Sequence, residues 1–272
     1  MSTARRKTCK IQKGLCVGIL TLPHTRGTRA SHIMKTYVDW FEDRGVHVVP
    51  VPFDTKEPEL YFETTNGLFI PGTDKGYDIK SKTLMKTLMR FIQLSIQPDE
   101  YYPIWGTCFG FQLLMQLFGG SRVLSHHVSN GLSAIHVTPE GQNSKMMRGF
   151  SKRYLNQLEH SPSTLQYHAY GISPSIFLSN PGLRQWFRVL ATAVDDKGKE
   201  FVTAAEGKHY PFYGVQSHPE RQQHTAPFLK FFLSELRQNT HMCHQLPYLR
   251  SLMKAERCAH YTEQKDMMCY YF

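Results

Sequence analysis

The sequence predicts an α/β fold on a doubly wound, mostly parallel sheet, and three observations predict it. Short β-branched or aromatic runs alternate with helical periodicities through the first half, the pattern of successive strand–helix–strand units. The apolar run Tyr102–Trp105 leads into Cys108, flanked by Gly106 and Gly110, and Phe111, Leu113, Leu114 and Leu117 follow at helical spacing. A later run, Tyr210–Gln216, ends in His218-Pro219-Glu220. Parallel strands that end side by side can bring such distant residues together.

The elements follow in order. Met1–Lys13 is a basic N-terminal segment, residues 14–241 make one domain, and residues 242–272 form a C-terminal extension. With 272 residues and 41% hydrophobic content, the chain can bury one large core. Leu15–Leu22 reads as the first strand. The basic segment before it imitates a secretory leader, but the apolar run is short and ends at Pro23 without a small-residue cleavage pattern. Helix is expected over His32–Arg44, strand over Val46–Val51 and Gly67–Ile70, then helix over Ser81–Gln97. Phe109–Phe118 is a helix closed by Gly119-Gly120 as a C-cap pair. Leu132–Val137, Arg188–Val194, Phe201–Ala205 and Phe212–Gln216 are closely spaced strands expected to add antiparallel partners. Met146–Phe150 reads as a short helix and Ala226–Gln238 as the last long one, while Pro139–Ser144 and Ser161–Thr164 read as loops. In the extension, Leu246, Leu249, Leu252, Met253 and Arg257 suggest an amphipathic helix, and the apolar Met267–Phe272 a partner surface, possible in a homodimer.

Composition bounds the function. The formal net charge is +10, which favours anionic partners. The cations are scattered apart from Arg5-Arg6-Lys7 and Lys10, with no zinc-finger or ribonucleoprotein pattern, which argues against nucleic acid. No apolar run nears the ~20 residues that a membrane helix requires. The six cysteines are sparse for this length and read as thiols of a cytoplasmic protein. Cys243-His244, Cys258, His260 and Cys269 match no standard zinc spacing.

Cys108 has the setting of a nucleophile elbow: a strand ends, the chain turns on small residues, and a reactive side chain opens a helix. Helix amides and their dipole favour the thiolate. A buried, inert cysteine beside a strand is the bland reading. His218 can take the thiol proton and Glu220 can hold the imidazole. Alone, His-Pro-Glu is also a turn with a solvated glutamate; the two segments together favour covalent catalysis.

These segments resemble the class I glutamine-amidotransferase-like superfamily and, within it, the γ-glutamyl hydrolases. The resemblance runs from about Cys16 to His241 and rests on Cys16–Leu20, Tyr37–Val51, Asn66–Gly72, Pro103–Phe111 and Glu206–Glu220. It implies a flavodoxin-like sheet and a cofactor-free cysteine hydrolase of the ω-peptidase type. Its substrate would be an anionic γ-glutamyl amide, poly-γ-glutamate or folate polyglutamate. It further implies catalysis by Cys108, His218 and Glu220, and an oxyanion hole from Phe109 and the Gly72-Thr73 loop. His168, Tyr170, Tyr37 and Gln112 become substrate-binding candidates, with His168 on a loop. Members of the family are often secreted, lysosomal or vacuolar. This chain departs from the family at Thr73, where a second glycine is usual, at Gln112, where a glutamate is common, and at Ser217, where a tryptophan stands. A glutaminase component passing ammonia to a partner synthase, and a catalytically inactive interaction protein, are the alternatives. A single domain favours the hydrolase over the first.

Overall fold

In a computed structural model of the protein, described for residues 14–23, 31–73, 81–242, 255–257 and 268–272, strands and helices alternate as the sequence pattern implies. The first half contains β1 (Cys16–Leu20), β2 (Leu22–Pro23), β3 (Ser31–Met34), α1 (Lys35–Glu42), β4 (His47–Val51), α2 (Pro58–Glu63), β5 (Leu68–Ile70) and α3 (Lys82–Ser95). The middle carries β6 (Ile104–Thr107), α4 (Phe109–Gly119), β7 (Ser125–Ser133), β8 (His136–Val137), α5 (Pro139–Gln142), α6 (Lys145–Arg148) and α7 (Lys152–His160). Then come β9 (Thr164–Gly171), α8 (Pro174–Ser179), α9 (Pro181–Trp186), β10 (Phe187–Val194), β11 (Glu200–Gly207), β12 (Phe212–Val215), α10 (Ala226–Leu236), β13 (Ala255–Arg257) and β14 (Met268–Tyr271).

Eight strands form the central sheet in the order β4-β1-β5-β6-β12-β11-β10-β8. The first five are parallel and the last three antiparallel additions, as the closely spaced later strands suggested. Because the parallel strands are covered on both faces, they read as continuous apolar runs; β1, β5, β6 and β12 are buried at every position. One apolar cluster, with Tyr37, Phe41, Phe69, Trp105 and Phe232, fills one side of the sheet. A second, with Leu88, Phe91, Phe111, Leu114 and Phe212, fills the other. Among the described residues, no helix is long and apolar enough to cross a membrane.

Several expectations need correction. The first helix starts at Lys35, not His32, because Ser31–Met34 pairs with β2 and β14 instead. β7 and β9 form a separate two-stranded ribbon, so His168 lies on a strand rather than a loop, and Pro139–Gln142 is a helical turn capped by the Thr138 hydroxyl. The described parts of the extension are strands: Arg257 is in β13, and Met268–Tyr271 is not an open partner surface but docks antiparallel on β3 with Cys269 fully buried. The helix expected around residues 246–253 lies outside the described residues. Cys16 and Cys269 are not thiols; each is disulfide-bonded, whereas Cys108 is free.

Candidate active site

Parallel pairing builds the site. β6 and β12 are neighbours with Thr107 opposite Val215, so residues just past both strands are thrown together. The Cys108 amide donates to the Val215 carbonyl at 2.8 Å, and the His218 amide donates to the Leu165 carbonyl at 2.8 Å. The candidate nucleophile and base are thus fixed by backbone as well as by side chains.

The elbow is strained. Cys108 sits at φ 50°, ψ −107°, one of two non-glycine residues with positive φ among those described. Such a backbone costs on the order of 1–3 kcal/mol and persists only where its surroundings force it. The flanking glycines show how. A Cβ on Gly106 would lie 2.6 Å from the Gly110 carbonyl oxygen, and one on Gly110 would lie 2.0 Å from the Ile70 carbonyl oxygen. Strand β6 therefore folds back onto α4, and α4 seats on the end of β5, with no room for a side chain.

Cys108, His218 and Tyr37 converge over Gly72. A Cβ there would stand 2.6 Å from Tyr37 Oη, 2.9 Å from His218 Cε1 and 3.1 Å from Cys108 Cβ. His218 Nδ1 lies 2.8 Å from Glu220 Oε1, both groups being buried, and Arg221 lies 3.5 Å from the same oxygen. Nε2 has no hydrogen bond of good geometry, yet the Cys108 sulfur is close enough to draw positive charge onto the ring. Burial opposes that charge, but Cys108 and Glu220 outweigh it and push the His218 pKa up to about 9.

Two glutamines back the sulfur. Gln112 Nε2 donates to the Tyr170 carbonyl at 2.7 Å and to Gln216 Oε1 at 3.3 Å, which leaves the Gln216 amide nitrogen facing Cys108 Sγ at 3.7 Å. The expected substrate ligand Gln112 is thus committed inside the protein. Gln216, fully buried, escaped the sequence reading although it closes the apolar run before His218. Its place beside the sulfur follows from the β6–β12 register.

The other candidates divide. Tyr37 Oη accepts the Gly72 amide at 2.9 Å and lies 3.5 Å from His218 Nδ1, so it belongs to the site's frame. Phe109 opens α4 directly after the sulfur, and Thr73 follows Gly72. His168 Nδ1 donates to the His127 carbonyl at 3.0 Å and its ring packs on Phe201 at 4.8 Å. Burial holds its pKa down to about 4, so Nε2 is a neutral acceptor, buried without a hydrogen-bond partner among the described residues. His127 is itself held by Asp195 at 3.2 Å, a buried pair that sequence patterns did not reveal. Tyr170 lies nearly half exposed, with its ring edge-on to His126. Among the described residues, no cluster of side chains could hold a metal ion.

The chain is similar to known proteins over most of its length. Residues 31–234 match the family model "Glutamine amidotransferase class-I". The human γ-glutamyl hydrolase is 33% identical over 233 residues, 77% of this chain and 72% of the relative. γ-Glutamyl hydrolase B of Dictyostelium discoideum is 31% identical, covering 77% of this chain and 63% of its own length. γ-Glutamyl hydrolase 1 of Arabidopsis thaliana is 30% identical, covering 75% and 62%. Among solved structures, a putative GMP synthase subunit from Thermoplasma acidophilum superposes with a TM-score of 0.58 at 18% identity, over 84% of this chain and 96% of that one, a likeness of fold. The strained cysteine, the imidazole beside it and these matches lead to one assignment: the chain belongs to the γ-glutamyl hydrolase family of class I glutamine amidotransferases.

Proposed function

We propose that the protein is a cysteine hydrolase of γ-glutamyl amide bonds, with Cys108 as nucleophile, His218 as acid and base, and Glu220 as orienter. The observation that carries this reading is Cys108 held at positive φ beside an imidazole whose far nitrogen is bound to a buried carboxylate. The thiol proton passes to His218, leaving a thiolate–imidazolium pair. The thiolate attacks the γ-carbonyl carbon, and the C–N bond breaks as the imidazolium protonates the leaving amine. Neutral His218 then deprotonates a water that hydrolyses the thioester. The Phe109 amide is one oxyanion donor; the Gly72-Thr73 loop supplies the other, where the Gly72 amide must exchange Tyr37 Oη for the substrate oxygen. No step calls for a cofactor. An anionic substrate such as poly-γ-glutamate suits the basic chain. The neutral acceptor His168 Nε2 suits an amide N–H of that substrate. The half-cystines at 16 and 269 favour a compartment where disulfides persist over the cytoplasm expected from the sequence.

Treatment with a glutamine-analogue diazo-ketone followed by mass spectrometry tests the chemistry. One adduct, on Cys108, is expected, together with γ-glutamyl bond hydrolysis that Cys108→Ser abolishes. Unlabelled Cys108, or undiminished hydrolysis by Cys108→Ser, overturns the assignment. Ammonia released from glutamine only in the presence of a partner protein would move the reading to an amidotransferase component.

A further inference from the structure

At the amino ends of β6 and β12, the far end from Cys108, lies a cavity of about 710 Å³. Tyr101 and Pro211 line it just before the two strands, and the intervening strand length puts it roughly 20 Å from the sulfur. Its acids and cations are unevenly committed. Glu206 is buried, and its two carboxylate oxygens accept the amides of Lys145 at 3.0 Å and Met146 at 2.9 Å. Arg188 stands directly opposite Glu206 in the β10–β11 ladder, where opposite charges normally pair. That carboxylate being taken, Arg188 makes no salt bridge, and its Nε is buried without an acceptor, among the described residues. An unmet buried donor is destabilising, the more so when it is charged. Three more cations line the same cavity: Lys145 is paired with Glu235 at 2.8 Å, whereas Arg148 Nε and Lys208 Nζ reach only backbone carbonyls, of Ser144 at 3.3 Å and of Arg184 at 2.7 Å. Opposing them, Glu100 is engaged by His241 at 3.3 Å, which leaves Asp99.

The geometry points to a second ligand site, distinct from the Cys108 centre, for a compact multivalent oxyanion, a phosphate or a clustered carboxylate, seated on Arg188 with Arg148 and Lys208 at its rim. The guanidinium fork matches two oxygens of such a group, and the cavity volume fits a small-molecule ligand. This inference does not depend on the hydrolase reading.

Calorimetric titration of the full chain with inorganic pyrophosphate and, separately, citrate, at fixed ionic strength, tests it and distinguishes the two chemistries. Saturable binding of at least one is expected, weakened tenfold or more in Arg188→Gln, while diazo-ketone labelling of Cys108 in that variant stays at the wild-type rate. If Arg188→Gln fails to fold, Lys208→Gln at the rim is expected to weaken binding severalfold. No saturable binding of either anion, or wild-type affinity in the folded variants, overturns the site. A wild type that binds pyrophosphate but leaves Cys108 unlabelled would keep this inference and sink the hydrolase reading.

Discussion

Two buried carboxylates mark opposite ends of β6 and β12, and they are handled in opposite ways. Glu235, on α10, receives the Tyr101 hydroxyl, the Tyr213 hydroxyl at 2.6 Å, Lys145 Nζ at 2.8 Å and Gln238 Nε2 at 2.9 Å. Glu220 holds His218 Nδ1 at 2.8 Å and lies 3.5 Å from Arg221, while its Oε2 has no hydrogen-bond partner among the described residues. Burial is nearly equal. A carboxylate surrounded by four donors fixes structure; one with a single close partner leaves its imidazole able to change charge. The same fold thus secures one end of its strands and keeps the other chemically unfinished.

The largest test of this contrast is Cys108→Ser, expected to lower hydrolysis by a factor on the order of 10⁴ or more while thermal unfolding stays near wild type. The same variant removes a source of His218's charge, so the ring's NMR titration moves down from about 9. Glu220→Gln is expected to cost roughly 10²–10⁴ in turnover with little change in melting, because it disturbs the imidazole's tautomer and charge rather than packing. Glu235→Ala reverses the signature. It leaves the buried Tyr213 hydroxyl without its acceptor and removes the carboxylate shared by Tyr101 and Lys145, which keep each other at 2.7 Å, and chemical denaturation should show a loss of about 2 kcal/mol while Cys108 labelling in the folded protein persists. If Glu220→Gln unfolds the protein and Glu235→Ala only slows it, the comparison is wrong.

Gly72→Ala drives a methyl group between Cys108, His218 and Tyr37, and kcat is expected to fall about tenfold to a hundredfold with a smaller effect on KM. A separate effect falls on stability at acid pH. His168 binds its proton near pH 4 when folded and near 6.5 when unfolded. Between those values the unfolded chain binds more protons, so stability falls on acidification by about 1.4 kcal/mol per pH unit through this group. Urea unfolding at pH 7, 5.5 and 4.5 should show that slope, flattened in His168→Asn.

Much of this was legible in the sequence where local pattern and tertiary position coincide. The glycines around Cys108 announce a turn that only small residues can make, and the run before His218 announces a buried strand. The central sheet follows from such runs. What escaped depends on distant pairing. Ser31–Met34 carries helical residues yet becomes a strand because β14, more than 230 positions later, supplies its ladder. The β7–β9 ribbon, rich in His, Ser and Asn, lacks the apolar alternation that signals a half-buried strand. Gln112 sits where the family resemblance puts a substrate ligand, but its hydrogen bonds to Tyr170 and Gln216 depend on side-chain directions that spacing does not encode.

The docking of β14 has a consequence at the bench. Cys269, disulfide-bonded, pairs across the ladder with Met34, and α1 begins at the next residue and carries Tyr37 to Gly72. A reductant added to preserve the Cys108 thiol for assay would also cut the tether on the strand that braces this helix. Each preparation's exposure to dithiothreitol therefore becomes a variable to record beside its specific activity.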